Sequence, residues 1–101
     1  MTEQAEKITA IKLLLKYLEA EGVKYIFGIP GGPLMPLYEA IHELGNIRAI
    51  LTKHEQGAAF MADGYARVSG TLGVCCSTTG PGATNLFTGV ACAYVDSIPL
   101  L

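Results

Sequence analysis

The sequence predicts an α/β domain in three layers, with an open parallel sheet between helices on both faces. Two observations carry this prediction. Short apolar runs typical of buried strands alternate along the chain with stretches whose apolar residues recur at helical spacing. Successive strands are separated by one helix each, which is the connection that a parallel pair requires. The expected order is therefore α-β-α-β-α-β-α-β.

The individual elements follow from local signals. The first helix is predicted over 2–20, and Gly22 ends it. Its apolar stripe consists of Ile8, Ile11, Leu15 and Leu18. Further helices are predicted over 34–44, 55–69 and 83–95, and Gly45 with Asn46 stops the second of them. The predicted strands are 23–27, 47–51, 72–77 and 98–101.

Residues 1–101 are expected to be the amino-terminal part of a longer protein and one domain that is incomplete at its carboxyl end. The last residues form an apolar run typical of a central strand, whereas chain termini usually lie at the surface. Half of the residues are hydrophobic and only 16% are charged, which is rich for a small free-standing domain. Part of the apolar surface is therefore expected to contact another domain or subunit.

Composition argues against several classes of partner. The net charge is −2 and there is no basic cluster, so neither nucleic acid nor a membrane surface is expected as a partner. The polar amino terminus lacks a secretory signal, and no run of about 18 apolar residues could span a membrane. The three cysteines, Cys75, Cys76 and Cys92, are expected to be buried free thiols in a reducing cytoplasm.

Three strand-to-helix turns are expected to open on the same edge of the sheet. They are centred near Gly31, Glu55 and Pro81, and successive centres are 24 and 26 residues apart. Each interval fits one strand-helix unit. Ligands of open α/β sheets bind at the carboxyl ends of the strands, so the three loops could converge on one ligand.

The first and third loops each allow two interpretations. The first, 28–33, either lines a ligand or is only a turn rich in Gly and Pro, and it lacks the Lys-Ser/Thr of a phosphate-binding Walker A loop. The third, 80–85, follows a strand and opens a helix as a dinucleotide-binding motif does, but Asn85 stands where that motif has its third glycine. Its alternative is a simple turn.

The middle loop contains an acid at the start of a helix. Glu55 either interacts favourably with the helix dipole or is a functional carboxyl group, which apolar surroundings could keep protonated near neutral pH. His54 is expected to start or pack the helix rather than bind a metal, because no second ligand has suitable spacing. Asp63 and Arg67, four residues apart, are expected to form an ion pair. No metal site is predicted.

Together these segments resemble the amino-terminal pyrimidine-binding domain of thiamin-diphosphate-dependent enzymes, most closely the acetolactate synthase (acetohydroxyacid synthase) large-subunit family. The resemblance lies in residues 22–32, 54–67, 79–85 and 93–100, and it covers nearly the whole chain in order. It implies the flavodoxin-like thiamin-diphosphate-binding fold, here truncated.

The resemblance also implies roles for individual residues. Glu55 would be catalytic: it would hydrogen-bond a pyrimidine nitrogen of the cofactor and stabilise the imino tautomer, which removes the thiazolium C2 proton. The residues expected to bind the cofactor are Ile29, Pro30, Gly31, Gly32, Glu55, Pro81 and Asn85. Gly57 and Ala58 would keep bulk away from the acid. A helix amino terminus favours the carboxylate, so desolvation by cofactor and partner subunit would have to outweigh it.

The implied reaction is decarboxylation of a 2-oxoacid such as pyruvate and transfer of the two-carbon unit to a second 2-oxoacid, a step of branched-chain amino acid biosynthesis. Magnesium would be held by a separate domain through a Gly-Asp-Gly…Asn motif that this chain lacks, and FAD would be possible in a central domain. The implied assembly is a homodimer or tetramer with the site between subunits, so the 101 residues alone should be inactive. Alternatives are a related decarboxylase, lyase or acyltransferase, a non-catalytic fragment, or a Rossmann-like nucleotide-binding module.

Overall fold

The computed structural model describes residues 7–101. In chain order the elements are α1 (Ala10–Ala20), β1 (Tyr25–Gly28), α2 (Met35–Leu44), β2 (Arg48–Leu51), α3 (Glu55–Ser69), β3 (Cys75–Cys76), α4 (Pro81–Asn85) and α5 (Phe87–Val95). A short 3-10 turn, Gly32–Leu34, precedes α2.

The three strands form one open parallel sheet in the order β2-β1-β3. Ile26 of β1 lies opposite Ala49 of β2, and Phe27 lies opposite Cys75 of β3, both in parallel register. After β1, the chain forms β2 on one side of it and then crosses back to form β3 on the other side. This confirms the predicted α/β class with a parallel sheet.

Side chains of β1 alternate between the two faces of the sheet, as a strand requires. Ile26 is 2% exposed and joins the apolar core, to which α1 and α2 contribute. Tyr25 and Phe27 point to the other face, where their rings lie 5.6 and 6.1 Å from the ring of Tyr65 in α3, centroid to centroid. Helices thus cover both faces, as predicted.

Helix α1 begins later than the sequence predicted. Thr9 is its amino-terminal cap, with the Oγ1 atom accepting a hydrogen bond of 3.4 Å from the backbone N–H of Lys12. Among the described residues, 7–9 therefore lie outside the helix, and the prediction for them was wrong. The earlier part of the predicted helix lies outside the described residues. Leu15 and Leu18 are buried as the stripe predicted, whereas Ile8 precedes the helix and is exposed.

The structure confirms α3 over the predicted range, but it divides the predicted helix 83–95 into α4 and α5. Pro81 starts α4 two residues before the predicted position, because its missing N–H costs nothing in a first turn. At Leu86 the backbone N–H donates to the carbonyl of Ala83, a tighter bond than the helical spacing of four. This tight turn separates the two helices.

The last predicted strand, 98–101, runs beside β3 without forming a full strand: Cys75 donates a backbone hydrogen bond of 3.0 Å to Leu101 O, and the segment is joined to the chain before β3 by one bridge. Gly73 and Leu100 form a single parallel bridge, in which Gly73 donates to Pro99 O and Leu101 donates to Gly73 O, at 3.1 and 2.9 Å. Strand β3 itself is shorter than the predicted 72–77. A strand forms only where its neighbours supply partners, so apolar character alone overestimated its length.

Helices α1, α3 and α5 each carry exposed apolar side chains. On α5, Tyr94 and Val95 are 84% and 78% exposed, and on α3 Val68 is 91% exposed. Tyr17 of α1 is also exposed. No helix within residues 7–101 has the length and apolar character needed to cross a membrane.

Candidate functional site

The loops that follow β1 and β3 leave the sheet at its carboxyl edge from adjacent strands. The chain runs from β1 to β2 on one side and later occupies the position of β3 on the other, so β1 lies at a topological switch point. Ligands of open α/β sheets bind outside the carboxyl ends of the strands at such a point. The predicted first and third loops, with Gly31 and Pro81, lie here.

The acid of the middle loop meets the third loop directly. The side-chain amide Nδ2 of Asn85 donates a hydrogen bond of 3.1 Å to Oε2 of Glu55, and both side chains are half-buried. Thirty residues separate the two in the chain. The structure therefore brings together two of the predicted site residues, one from each loop.

Local hydrogen bonds fix the position of Glu55. The buried side chain of Thr52, directly after β2, donates from Oγ1 to the carbonyl of His54 at 2.9 Å. His54 is extended and caps α3, since its Nδ1 accepts from the backbone N–H of Gln56 at 3.0 Å. This confirms His54 as a helix-start residue. These two hydrogen bonds define the start of α3 and thereby place Glu55 in its first turn.

The third loop places Asn85 through a sharp turn at Gly80. Gly80 has φ 69° and ψ −125°, a combination open to glycine and strained for other residues. The hydroxyl of Thr84 then donates to the carbonyl of Pro81 at 3.0 Å, inside the short helix α4. Asn85, the last residue of α4, is thereby held towards the start of α3.

Thr78 connects the first loop to Glu55 and the third loop, and it was not among the residues predicted from the sequence. A methyl group at Gly31 would lie 2.8 Å from Cβ of Thr78, and one at Gly82 would lie 2.9 Å from its Cγ2 and 3.5 Å from Oε1 of Glu55. All three loops therefore meet around Thr78. Its position between a strand and a Gly-Pro-Gly turn was a signal that could have identified it.

The remaining predicted site residues lie in the same loops. Ile29 is half-buried and Pro30 is exposed, directly after β1, while Gly32 begins the 3-10 turn and Pro81 begins α4. In α3, Ala58 is fully buried. Space for a side chain is open at Gly57, so steric crowding within this chain does not explain a glycine there.

The described surroundings of Glu55 favour its carboxylate form. Hydrogen bonding by its own backbone N–H, and then by the Asn85 amide, lowers the pKa of Glu55 below its ordinary value, and the neighbouring His54 acts in the same direction. Desolvation opposes these effects but is outweighed. A carboxyl group that keeps a proton near neutral pH is thus not what this chain produces by itself, because helix-start N–H groups stabilise negative charge.

The predicted ion pair of α3 exists and has a third member. Nε of Arg67 donates to both carboxylate oxygens of Asp63 at 3.1 and 3.0 Å, and Nη2 donates to Asp96 at 2.7 Å. Asp63 is buried, whereas Asp96 is exposed just after α5. Arg67 therefore ties α3 to the end of α5, which sequence spacing could not show.

The cysteines are free thiols, all of them half-buried. Burial raises the pKa of Cys75 to about 11, so the thiol stays protonated at neutral pH. Within residues 7–101, no three side chains of His, Cys, Asp or Glu are grouped as they would be around a metal ion.

Comparison with known proteins gives this geometry a family. The family model described as "Thiamine pyrophosphate enzyme, N-terminal TPP binding domain" matches residues 8–101. A probable acetolactate synthase large subunit of Methanocaldococcus jannaschii is 59% identical over 88 residues, which are 87% of this chain and 15% of that protein. The acetolactate synthase large subunit of Lactococcus lactis is 56% identical over 90 residues, 89% of this chain and 16% of that protein.

A third relative agrees with these two. Acetolactate synthase isozyme 3 large subunit of Escherichia coli is 48% identical over 96 residues, 95% of this chain and 17% of that protein. The chain thus spans about one sixth of the length of the curated relatives that it matches. The family model, in contrast, covers all but the first seven residues. The chain therefore belongs to the family of thiamine pyrophosphate enzyme N-terminal TPP-binding domains.

Proposed function

We propose that residues 1–101 are the N-terminal, pyrimidine-binding part of a thiamin-diphosphate-dependent acetolactate synthase. The observation that carries this proposal is the hydrogen bond between Glu55 and Asn85 at the point where three loops meet. The similarity to acetolactate synthase large subunits supports the reaction type. The protein would decarboxylate a 2-oxoacid, pyruvate, and transfer the two-carbon unit to a second 2-oxoacid.

The residues present fit the pyrimidine end of thiamin diphosphate. An aminopyrimidine is a flat ring with hydrogen-bonding nitrogen atoms, and the site offers it a carboxylate and a side-chain amide next to each other. A side chain at Gly31 or Gly82 would collide with Thr78, so at both positions only the backbone lies close to the site. Such a combination suits a planar heterocycle better than a phosphate group.

Each residue then has a definite task. Glu55 would share a proton with a pyrimidine ring nitrogen: as a carboxyl group it would donate to that nitrogen, and as a carboxylate it would accept from the protonated nitrogen. Asn85 would hold the other carboxylate oxygen of Glu55 and approach the ring. The ring would be lined by residues of the first and third loops: Ile29, Pro30, Gly31, Gly32 and Pro81. When bound, thiamin diphosphate supplies the electron sink that decarboxylation of a 2-oxoacid requires.

The proton affinity of Glu55 would depend on what encloses it. In this chain the pKa of Glu55 is lowered, chiefly by its own backbone N–H. Covering a carboxyl group with an apolar surface raises its pKa, because the charged form loses its hydration. A bound ring and a second subunit over Glu55 would therefore shift it towards sharing a proton.

The rest of the catalytic apparatus is proposed to lie outside these 101 residues. Magnesium and the diphosphate would be held by another domain, from a second subunit of a homodimer or tetramer, and FAD would be bound by a central domain if it is present. The short coverage of the relatives supports this division. We further propose a cytoplasmic protein, with the 101 residues inactive alone.

The first test is Glu55→Gln in the complete protein that contains these residues. Turnover of pyruvate should fall by about 100-fold or more, because the amide cannot hold the proton that general acid–base chemistry moves. The thermal midpoint should stay close to that of the unchanged protein. Glu39→Gln, the same change at an exposed position of α2, is the matched control. Normal turnover in Glu55→Gln would remove this residue from the mechanism.

Product analysis separates the related reactions. Incubation of the complete protein with pyruvate, magnesium and thiamin diphosphate should yield acetolactate. Acetaldehyde as the main product would assign it to the decarboxylases instead. Calorimetry addresses the nucleotide-binding alternative: thiamin diphosphate with magnesium should bind, and binding of NAD in its place would overturn the proposal.

A further inference from the structure

We propose that Thr78 is a positioning residue whose branched side chain sets the spacing of the first and third loops around Glu55. This inference rests on the proposed function, because it assigns Thr78 a role in shaping the cofactor site. Thr78 lies between β3 and the Gly80 turn, and its side chain is half-buried.

One side of Thr78 is packed against the first loop. A methyl group at Gly31 would come within 2.8 Å of Cβ and 3.0 Å of Oγ1, but only within 3.5 Å of Cγ2. Carbon atoms in proteins do not approach to 2.8 Å without a bond, since van der Waals contact is reached near 3.5–4.0 Å. The Cβ–Oγ1 side of Thr78 therefore determines how closely the Gly31 backbone can approach.

The other side of Thr78 is packed against the third loop. At Gly82 an added methyl group would lie 2.9 Å from Cγ2 of Thr78, and 3.5 Å from Oε1 of Glu55. The Cγ2 methyl group thus sets the distance of the Gly82 backbone, and that backbone in turn borders one carboxylate oxygen of Glu55. The other carboxylate oxygen is held by Asn85, three residues after Gly82.

The two branches of one side chain therefore act on two different loops. If the methyl branch is removed, the third loop and with it Asn85 lose their support, while the contact with Gly31 remains. If both branches are removed, the third loop loses its support, and the first loop loses the contact with Oγ1 but keeps the contact with Cβ. If the hydroxyl is exchanged for a methyl group, the shape and both contacts are retained. This division predicts a distinct result for each of three substitutions.

The experiment compares Thr78→Ser, Thr78→Ala and Thr78→Val in the complete, cofactor-free protein by hydrogen–deuterium exchange with mass spectrometry. Thr78→Ser should raise exchange in peptides covering 79–86 but not in those covering 28–34. Thr78→Ala should raise exchange in 79–86 as Thr78→Ser does, and in 28–34 to a smaller extent because Cβ remains, whereas Thr78→Val should raise it in neither. Thr71→Ser, the same change at an exposed turn after α3, is the matched control and should alter neither loop.

Calorimetry with thiamin diphosphate and magnesium measures the consequence for the site. Loss of one methylene-sized contact corresponds to about a fourfold change in an equilibrium constant, so Thr78→Ser should weaken binding by about fourfold. Thr78→Val should bind as the unchanged protein does, which a direct hydrogen bond from the hydroxyl to the cofactor would not allow.

Two results would overturn the spacing role: exchange and binding in Thr78→Ser equal to the unchanged protein, or Thr78→Val as impaired as Thr78→Ala. The second would assign the hydroxyl, rather than the shape, to the function. If the unchanged protein binds no thiamin diphosphate, the proposed function fails, and the exchange pattern still decides whether Thr78 spaces the loops.

Discussion

Glu55 is held by groups that stabilise its negative charge. Its own backbone N–H and the amide of Asn85 both lower its pKa, and both come from the geometry of a helix start meeting a second loop. A lowered pKa means that folding stabilises the carboxylate form of Glu55 relative to its protonated form. The contribution of Glu55 to stability is therefore present above its unfolded pKa and is lost as the pH falls through the folded value.

Asn85→Ala should raise the pKa of Glu55 towards its ordinary value. The substitution removes a hydrogen bond to the charged form, and losing such a bond favours the protonated carboxyl group. Carbon-13 NMR of the labelled glutamate carboxyl groups in the complete protein measures the titration, with Glu55→Gln to identify the signal. Asn46→Ala, at an exposed position after α2, is the control. An unchanged titration in Asn85→Ala would show that this hydrogen bond does not persist in solution.

At the scale of elements, α3 and α5 approach each other unusually closely. A methyl group at Gly89 of α5 would lie 2.4 Å from Cβ of Ala59 and 3.0 Å from its backbone carbonyl carbon. Ala59 and Gly89 are both buried. The close approach, together with the bridge from Arg67 to Asp96, holds the two helices together, and Asn85 lies just before one while Glu55 begins the other.

Gly89→Ala should destabilise the protein by about 1–3 kcal/mol, the usual cost of forcing extra volume into a packed interior. The backbones of α3 and α5 would have to move apart, because the obstacle is backbone and Cβ rather than a flexible side-chain end. Chemical denaturation measures the free energy of unfolding. Gly64→Ala in α3 is the matched control: it meets nothing within 4 Å and should be neutral or stabilising by about 0.5–1 kcal/mol. Equal effects of both substitutions would contradict the close packing.

At the scale of the whole molecule, the chain leaves much apolar surface exposed. The exposed side chains of α5 include Phe87, Val90, Tyr94 and Val95. Large exposed apolar surfaces on a folded domain mark contacts with other domains or subunits. This agrees with the proposal that the site is completed by a second subunit.

Tyr94→Glu should lower the molecular mass of the assembled protein in solution. It places a charge at an 84% exposed apolar position of α5, and burying an unpaired charge in an interface is unfavourable. Size-exclusion chromatography with light scattering measures the mass. Lys24→Glu, a change at an exposed polar position, is the control. An unchanged assembly in Tyr94→Glu would show that this face of α5 is not at the subunit interface.

Local signals were enough to predict the order of elements as far as β3, the parallel sheet and the bounds of α3. His54 before the helix and Gly70 after it, in a left-handed conformation, act within a few residues of the helix ends, so sequence shows them. Local signals were insufficient for the length of β3 and for the division at Leu86. Both depend on which partners are available to the backbone, and apolar character does not report that.

The sequence by itself determined the class of fold, and it predicted three loops at one edge of the sheet, with Glu55 and Asn85 as candidate site residues. Only the tertiary structure decided that Asn85 hydrogen-bonds Glu55 and that Arg67 reaches Asp96. It also decided that Thr78 packs between Gly31 and Gly82. The physical reason is distance along the chain. Caps, turns and periodicity are set by neighbours within a few residues, whereas these contacts join residues that only strand order and helix packing bring together.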